Sequence, residues 1–161
     1  DFGHWREDAQ GGDDDGPPTD VVIFGLGRFG SQLMRRLEDQ GFGVLGVDLD
    51  PLAVRRFARE GHQVRFGDVT EQEFWAELPL AQARWVVLAV VMPVPFSGVL
   101  AMAAPGFRVA ITARDETEMK QRAGEGIVDL VLFPFDDAAG AAAKQIADLD
   151  DEPPVEQGEE S

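Results

Sequence analysis

Cysteine is absent from all 161 residues, and so is tyrosine. The first absence excludes disulfides, thiolate nucleophiles and cysteine-bound metal, and it fits a reducing cytoplasm. The second removes the Tyr-x-x-x-Lys arrangement of short-chain dehydrogenases. Only two histidines occur, His4 among acidic residues near the start and His62 beside a glycine in a turn. Neither stands at metal-ligand spacing with other histidines or carboxylates. Lys120 and Lys144 read as solvated helix residues. Chemistry needs a proton donor or nucleophile in a cleft, and nothing here supplies one, so the chain reads as a binder and not an enzyme.

Basic residues are scarce as well. Fourteen Lys and Arg face thirty Asp and Glu, a formal net charge of −16. The excess is concentrated at the two ends. Residues 1–20 carry net −6 and residues 148–161 carry net −7, leaving −3 for the body. With Gly11-Gly12, Gly16-Pro17-Pro18 and Pro153-Pro154, both ends read as acidic disordered linker, tag or tail. No basic stripe offers a nucleic-acid surface. The chain opens on Asp1 without a methionine or signal peptide, which reads as a piece cut from a longer protein or a processed tag. Between Trp85 and Phe107 no charge occurs over 23 residues. Pro93, Pro95, Gly98, Pro105 and Gly106 break that stretch, so it reads as a strand plus a short apolar helix, not a membrane span.

What is present is more specific. Val21-Val22-Ile23-Phe24 reads as a buried strand running into Gly25-Leu26-Gly27-Arg28-Phe29-Gly30, and then into a helix from Ser31. That order suits a phosphate-binding turn. Gly25 permits the tight bend, Gly27 lets backbone N–H groups approach a phosphate, and Gly30 lets helix and strand pack closely. A phosphate then sits at a helix N-terminus, where unpaired N–H groups and the dipole favour negative charge. A second strand, Val44 to Val47, ends in Asp48, eighteen residues past Gly30. A carboxylate there accepts hydrogen bonds from the ribose hydroxyls of an adenosine and repels a 2′-phosphate, which argues against NADP. Asp50 is a weaker ribose candidate; followed by Pro51, it suits the cap of the next helix.

The alternation continues to residue 147. A helix is expected over 52–60, a strand over 63–66, and a short helix from the Thr70–Glu73 capping box. Strands follow at 85–91 and 109–112, then a helix to 123 opened by an Asp115–Glu118 capping box. A sixth strand spans 129–133, stopped by Pro134, and a final helix spans 136–147. The expected architecture is α/β, a Rossmann-like doubly wound parallel sheet of about six strands with helices on both faces.

These motifs together resemble the RCK domain, also called KTN or the TrkA N-terminal domain, over residues 21–147. The resemblance rests on Gly25-Leu26-Gly27-Arg28-Phe29-Gly30, Val47-Asp48-Leu49-Asp50-Pro51, Phe66-Gly67-Asp68-Val69-Thr70, Ala113-Arg114-Asp115 and Val128-Asp129-Leu130-Val131-Leu132-Phe133-Pro134. It implies a cytoplasmic regulator of potassium or cation transport, held at the inner face of the membrane by an attached or partner transporter or channel. It also implies an adenine nucleotide as ligand: AMP, ADP, ATP or NAD(H). In the implied site Asp48 holds the ribose with Leu49 among the neighbouring binding residues, Asp68 and Val69 border the adenine, and the turn with Arg28 and Phe29 takes phosphate. Ala89, Val90 and Arg114 stand near the ligand mouth. The wording of the glycine turn is most similar to Kef-type efflux antiporters. After the fourth strand the chain departs from the family with Met92-Pro93-Val94-Pro95-Phe96, and Thr112 stands where those antiporters tend to carry arginine. Helices on one side of the sheet form a homodimer interface in the family, and the uncharged segment 96–104 with the alanine-rich last helix is expected to do so here. The reading from another class is the cofactor half of an NAD-dependent dehydrogenase.

Overall fold

The computed structural model describes residues 18–90, 106–123 and 128–156. Six parallel strands form its centre: β1 (Val21–Phe24), β2 (Val44–Asp48), β3 (Val64–Phe66), β4 (Trp85–Leu88), β5 (Arg108–Thr112) and β6 (Leu130–Leu132). Their order across the sheet is β3-β2-β1-β4-β5-β6. This is the doubly wound order, in which the chain leaves β1 in one direction to β2 and later returns to its other side at β4. The register runs straight across that reversal: Phe24 pairs with Val47 on one side and with Leu88 on the other.

Apolar residues on both parities explain why β1 is central. Val22 and Phe24 belong to one core with Leu45, Val47, Trp75, Val86, Leu88 and Ile111. Val21 and Ile23 belong to the other with Met34, Val44, Val54, Phe57 and Val87. A strand buried on both faces needs no polar alternation, and all four β1 residues are buried. The second core is roofed by α1 (Arg28–Asp39) through Met34 and by α2 (Pro51–Arg59) through Val54 and Phe57. The first is covered by α3 (Gln72–Glu77), whose Trp75 is buried against Phe24 at 4.9 Å between ring centroids. α4 (Glu116–Ala123) joins β5 to β6, and α5 (Pro134–Leu149) follows β6.

The end of the sheet opposite the glycine turn is clasped by Asp20. Its backbone N–H donates to the Gly43 carbonyl and its Oδ2 accepts from the Gly43 N–H. Its carbonyl accepts from Arg84 and Trp85 N–H, so one residue ties β1, β2 and β4 together. Thr19 is buried. Both residues, which the charge pattern placed in the acidic segment 1–20, therefore belong to the packed body.

Among the described residues the expected element order is observed, with local differences that have physical causes. The Thr70–Glu73 capping box does not form. Asp68 Oδ1 accepts from both the Thr70 N–H at 2.9 Å and its hydroxyl at 2.7 Å, so Thr70 closes a turn and α3 starts two residues later. The Asp115–Glu118 box is half made. Asp115 Oδ1 accepts from Glu118 N–H at 2.8 Å, but the Glu118 carboxylate turns to Arg114. Asp50 caps α2 as expected, accepting from Leu52 N–H at 2.9 Å with Pro51 at the first helical position. Pro134 does not merely end β6; it opens α5, where its missing N–H costs nothing. The expected helix over 96–104 lies outside the described residues. Among those described, no helix is long and apolar enough to cross a membrane.

α5 differs from the other helices. From residue 135 to 149 every residue is exposed, including Phe135, Ile146 and Leu149. Phe135, Ala139, Ala142, Ile146 and Leu149 recur at 4-3-4-3 spacing, the period of a coiled-coil seam.

Candidate functional site

The reversal of strand order between β1 and β4 opens a crevice at the carboxyl ends of the strands, and the glycine turn lies there. Its three glycines answer to different demands. Gly25 has φ of 100°, and a Cβ on it would meet Val90 Cγ1 at 2.6 Å and the Ala89 carbonyl oxygen at 2.7 Å. A Cβ on Gly30 would strike the Gly25 carbonyl oxygen. The fold itself requires both. Gly27 is otherwise: its φ is −70°, and a Cβ there meets nothing within 4 Å.

Gly27 is also the N-cap of α1, and no side chain caps this helix end. The first helical bond runs from Ser31 N–H to the Gly27 carbonyl at 3.0 Å. The N–H groups of Arg28, Phe29 and Gly30 have no acceptor among the described residues. No acidic residue occupies the first turn. The exposed Arg28 guanidinium has no partner among the described residues. Unpaired N–H groups and a helix dipole coincide at this helix end, whose first residue is an exposed arginine, an arrangement that suits an anion.

Asp48 ends β2 beside this turn. Its Oδ2 accepts from Leu26 N–H at 2.7 Å, and its Oδ1 accepts from Asp50 N–H at 2.8 Å. A carboxylate oxygen accepts two hydrogen bonds, so each keeps capacity for a hydroxyl. Leu26 is itself buried, and Gly46 makes room for it: a Cβ at Gly46 would meet Leu26 Cδ2 at 2.7 Å. The turn is therefore held from below by packing and from the side by Asp48. Leu49 is exposed next to it.

The remaining expected residues lie at the ends of the neighbouring strands. Asp68 follows β3, with Oδ1 on Thr70 and Oδ2 without a partner among the described residues. Val69 is buried in the core, and its carbonyl accepts from Trp75 Nε1 at 2.6 Å. Ala89 N–H donates to the Phe24 carbonyl, which sets Ala89 and Val90 against Gly25. Asp50 spends Oδ1 on the α2 cap. Arg114 lies past the end of β5, its side chain 84 % exposed.

Two sets of residues here escaped the sequence reading. Phe66 is the register partner of Asp48 and is 49 % exposed, an aromatic left in water at the end of an edge strand. The other is a chain of charges: Arg114 Nε donates to Glu118 Oε2 at 2.8 Å, Glu118 Oε1 pairs with Arg122 Nη2 at 2.9 Å, and Arg122 Nη1 donates to the Thr112 carbonyl at 3.0 Å. Its signal was the repeated i,i+4 spacing of 114, 118 and 122. The hydrogen bond to Arg114 holds the Glu118 carboxyl below the ordinary carboxylate range against the opposing effect of burial, and the same bond raises Arg114.

His62 lies away from this rim, in the turn before β3, with Nδ1 on the Glu38 carboxylate at 2.8 Å. No group of His, Asp and Glu that could hold a metal occurs among the described residues.

The sequence profile of the TrkA-N domain matches residues 21–132. Ktr system potassium uptake protein C of Bacillus subtilis (strain 168) is 28 % identical over 71 residues, 44 % of this chain and 32 % of that protein. Ktr system potassium uptake protein A of Vibrio alginolyticus is 35 % identical over 69 residues, 43 % of this chain and 31 % of that protein. The chain thus spans about a third of the length of the curated relatives it matches. Among solved structures, the NAD(P)-binding domain of an exopolyphosphatase-related protein from Archaeoglobus fulgidus superposes with a TM-score of 0.69 at 19 % identity, covering 81 % of this chain and 99 % of that one. The TrkA-N domain of the Escherichia coli inner membrane protein ybaL gives 0.65 at 17 % identity, covering 81 % and 98 %. The GsuK channel bound to NAD gives 0.60 at 19 % identity, covering 73 % and 22 %. At these identities the superpositions establish the fold.

Proposed function

Since the chain belongs to the TrkA-N domain family, we propose that it is a nucleotide-sensing regulatory domain that biases a membrane-embedded potassium or cation transporter. The observation that carries the reading is Gly27. The fold has no use for glycine at that position, whereas a phosphate lying on the bare N–H groups of α1 would have. Asp48, with free acceptor capacity beside the turn, holds the adenosine ribose. Asp68 and Val69 border the base, Leu49 and Asp50 lie next to the ribose position, the turn with Arg28 and Phe29 takes the phosphates, and Ala89, Val90 and Arg114 line the ligand mouth. The ligand is AMP, ADP, ATP or NAD(H) and not an NADP-type molecule, because Asp48 repels a 2′-phosphate. A bound NAD in the GsuK structure supports a nucleotide at this rim.

The domain works at the inner face of the membrane, tethered to a transporter or channel, with the acidic stretches at its two ends as linkers. An efflux antiporter is the partner that the turn's wording suggests. Ligand binding alters transport only through different affinity for two states of the assembly. The role is regulatory, not catalytic. A second copy of the chain covers the apolar seam of α5, giving a homodimer. The test is calorimetry of the purified chain with AMP, ADP, ATP, NADH and NADPH. Binding of the first four, with NADPH much weaker, is expected; a chain that binds none of them refutes the proposal.

A further inference from the structure

Two glycines beneath the crevice each make room for a side chain that holds a loop above. Gly46 accommodates Leu26 under the glycine turn. Gly67 accommodates Phe74: a Cβ there would strike the ring at Cε2, Cζ and Cδ2. The backbone at Gly67 is not left-handed, so it is the ring that excludes a side chain. Gly67 is buried, and Asp68 is the next residue.

Phe74 belongs to α3, a helix of six residues. A helix this short has little stability of its own, so its place is set by what its side chains hold. Phe74 meets Phe24 edge to face, with centroids 6.4 Å apart and planes at 82°. Trp75 lies on the same Phe24, the last residue of β1 before Gly25. Trp75 also reaches back through Nε1 to the Val69 carbonyl. The loop between β3 and α3 is thus gripped at Gly67 by Phe74 and at Val69 by Trp75, on either side of Asp68. From β2, the Asp48 carbonyl accepts from the Gly67 N–H at 3.1 Å. Closely packed interiors pass a displacement on instead of absorbing it. A change in the Phe74 ring therefore reaches Asp68 through Gly67.

We propose that Phe74 is a positioning residue for recognition of the base. Its ring, wedged between Phe24 and Gly67, sets where Asp68 stands relative to the glycine turn, and so sets how well one base is told from another. It acts through Asp68 and not by contact with the ligand. This rests on the nucleotide reading above, in which Asp68 and Val69 border the base.

The experiment ranks ATP against UTP, which share ribose and phosphates and differ in the base. Each displaces an ATP analogue carrying a fluorophore on its terminal phosphate from the full chain, and a thermal melt accompanies each variant. The parent is expected to prefer ATP. Phe74→Ala should lower the ATP-to-UTP preference about fivefold, through weaker ATP binding with UTP little changed, and should add nothing in an Asp68→Ala background. Gly67→Ala should lower the preference in the same way, because its Cβ and the ring exclude each other. Phe74→Leu in the Gly67→Ala background, by yielding space, should restore part of it. Phe74→Leu alone keeps an apolar wedge, should fall between parent and alanine, and takes the place of the alanine variant if that one is unfolded. A merely structural Phe74 would lower the melting temperature and weaken ATP and UTP equally. That result overturns the proposal, as does an unchanged preference in Phe74→Ala or a parent that binds both nucleotides alike. Failure of the parent to bind the analogue, ATP or UTP refutes the nucleotide reading instead.

Discussion

Replacing Gly27 by valine separates what the fold needs from what a ligand needs. In the protein alone the substitution is almost free. The backbone sits at φ −70° and ψ −162°, extended and outside the left-handed region that would require glycine, and the new Cβ meets nothing within 4 Å. Restricting the unfolded chain gains about 0.4–1 kcal/mol, while exchanging a tolerated glycine N-cap for a poor one loses a similar amount. Net stability should change by less than about 1 kcal/mol, a few degrees in melting temperature for a domain of this size. The ligand is affected differently. The valine methyls would occupy the space in front of the Arg28, Phe29 and Gly30 N–H groups. Losing two hydrogen bonds to a charged phosphate costs about 1.5–3 kcal/mol each, so affinity should fall by a factor of about 100 or more. Circular dichroism and thermal melts would establish the fold, and calorimetry with ATP and NADH the affinity. A near-normal melt with affinity within threefold of the parent would refute the phosphate assignment. The control is Gly30→Ala, which drives a Cβ into the Gly25 carbonyl and should destabilise strongly whether or not ligand is present.

Asp48→Ala should weaken nucleotide binding by about 1.5–3 kcal/mol and also lower stability, because it strands the N–H of buried Leu26; NADPH binding as tightly as NADH in the parent would contradict the ribose role. Charge on the α5 seam, for example Ile146→Glu, should shift the chain from dimer to monomer in light scattering, and a parent already monomeric at high concentration would exclude that interface. Glu118 has a lowered folded pKa, so its contribution is complete above its unfolded value and is lost as pH falls through the folded one. Acid titration of stability should therefore show a shallower loss below the ordinary carboxylate range in Glu118→Gln than in the parent, and identical acid limbs would mean that the Arg114 and Arg122 contacts are not held in solution.

The sheet was legible in the sequence because its strands bury both faces: Val21 to Phe24 and Trp85 to Leu88 have no polar residue that could make them anything else. The turn was legible because Gly25 and Gly30 are demanded by geometry. What escaped depends on competition between partners that spacing does not rank. Thr70 has capping-box spacing to Glu73, but its hydroxyl is nearer to Asp68 and goes there. Glu118 has the same spacing to Asp115, yet a guanidinium outbids a backbone N–H for its carboxylate. Phe66 reads as an ordinary strand residue, and only its place on the edge strand, opposite Asp48, leaves it in water. Asp20 looked like one more acid in an acidic run until its backbone partners on β2 and β4 were visible.

α5 carries a consequence for how the molecule would breathe. A helix of sixteen residues with no buried side chain is close to the length at which isolated helices are marginal in water. Its amides would then exchange with solvent through local fraying, far faster than those of β1 and β4, whose opening requires the sheet to come apart. A partner seated on the Phe135 to Leu149 seam would add its binding free energy to that local equilibrium, so protection in α5 alone would rise with protein concentration. The exchange rate of one helix would therefore report the association constant, while the core of the same molecule stayed indifferent to it.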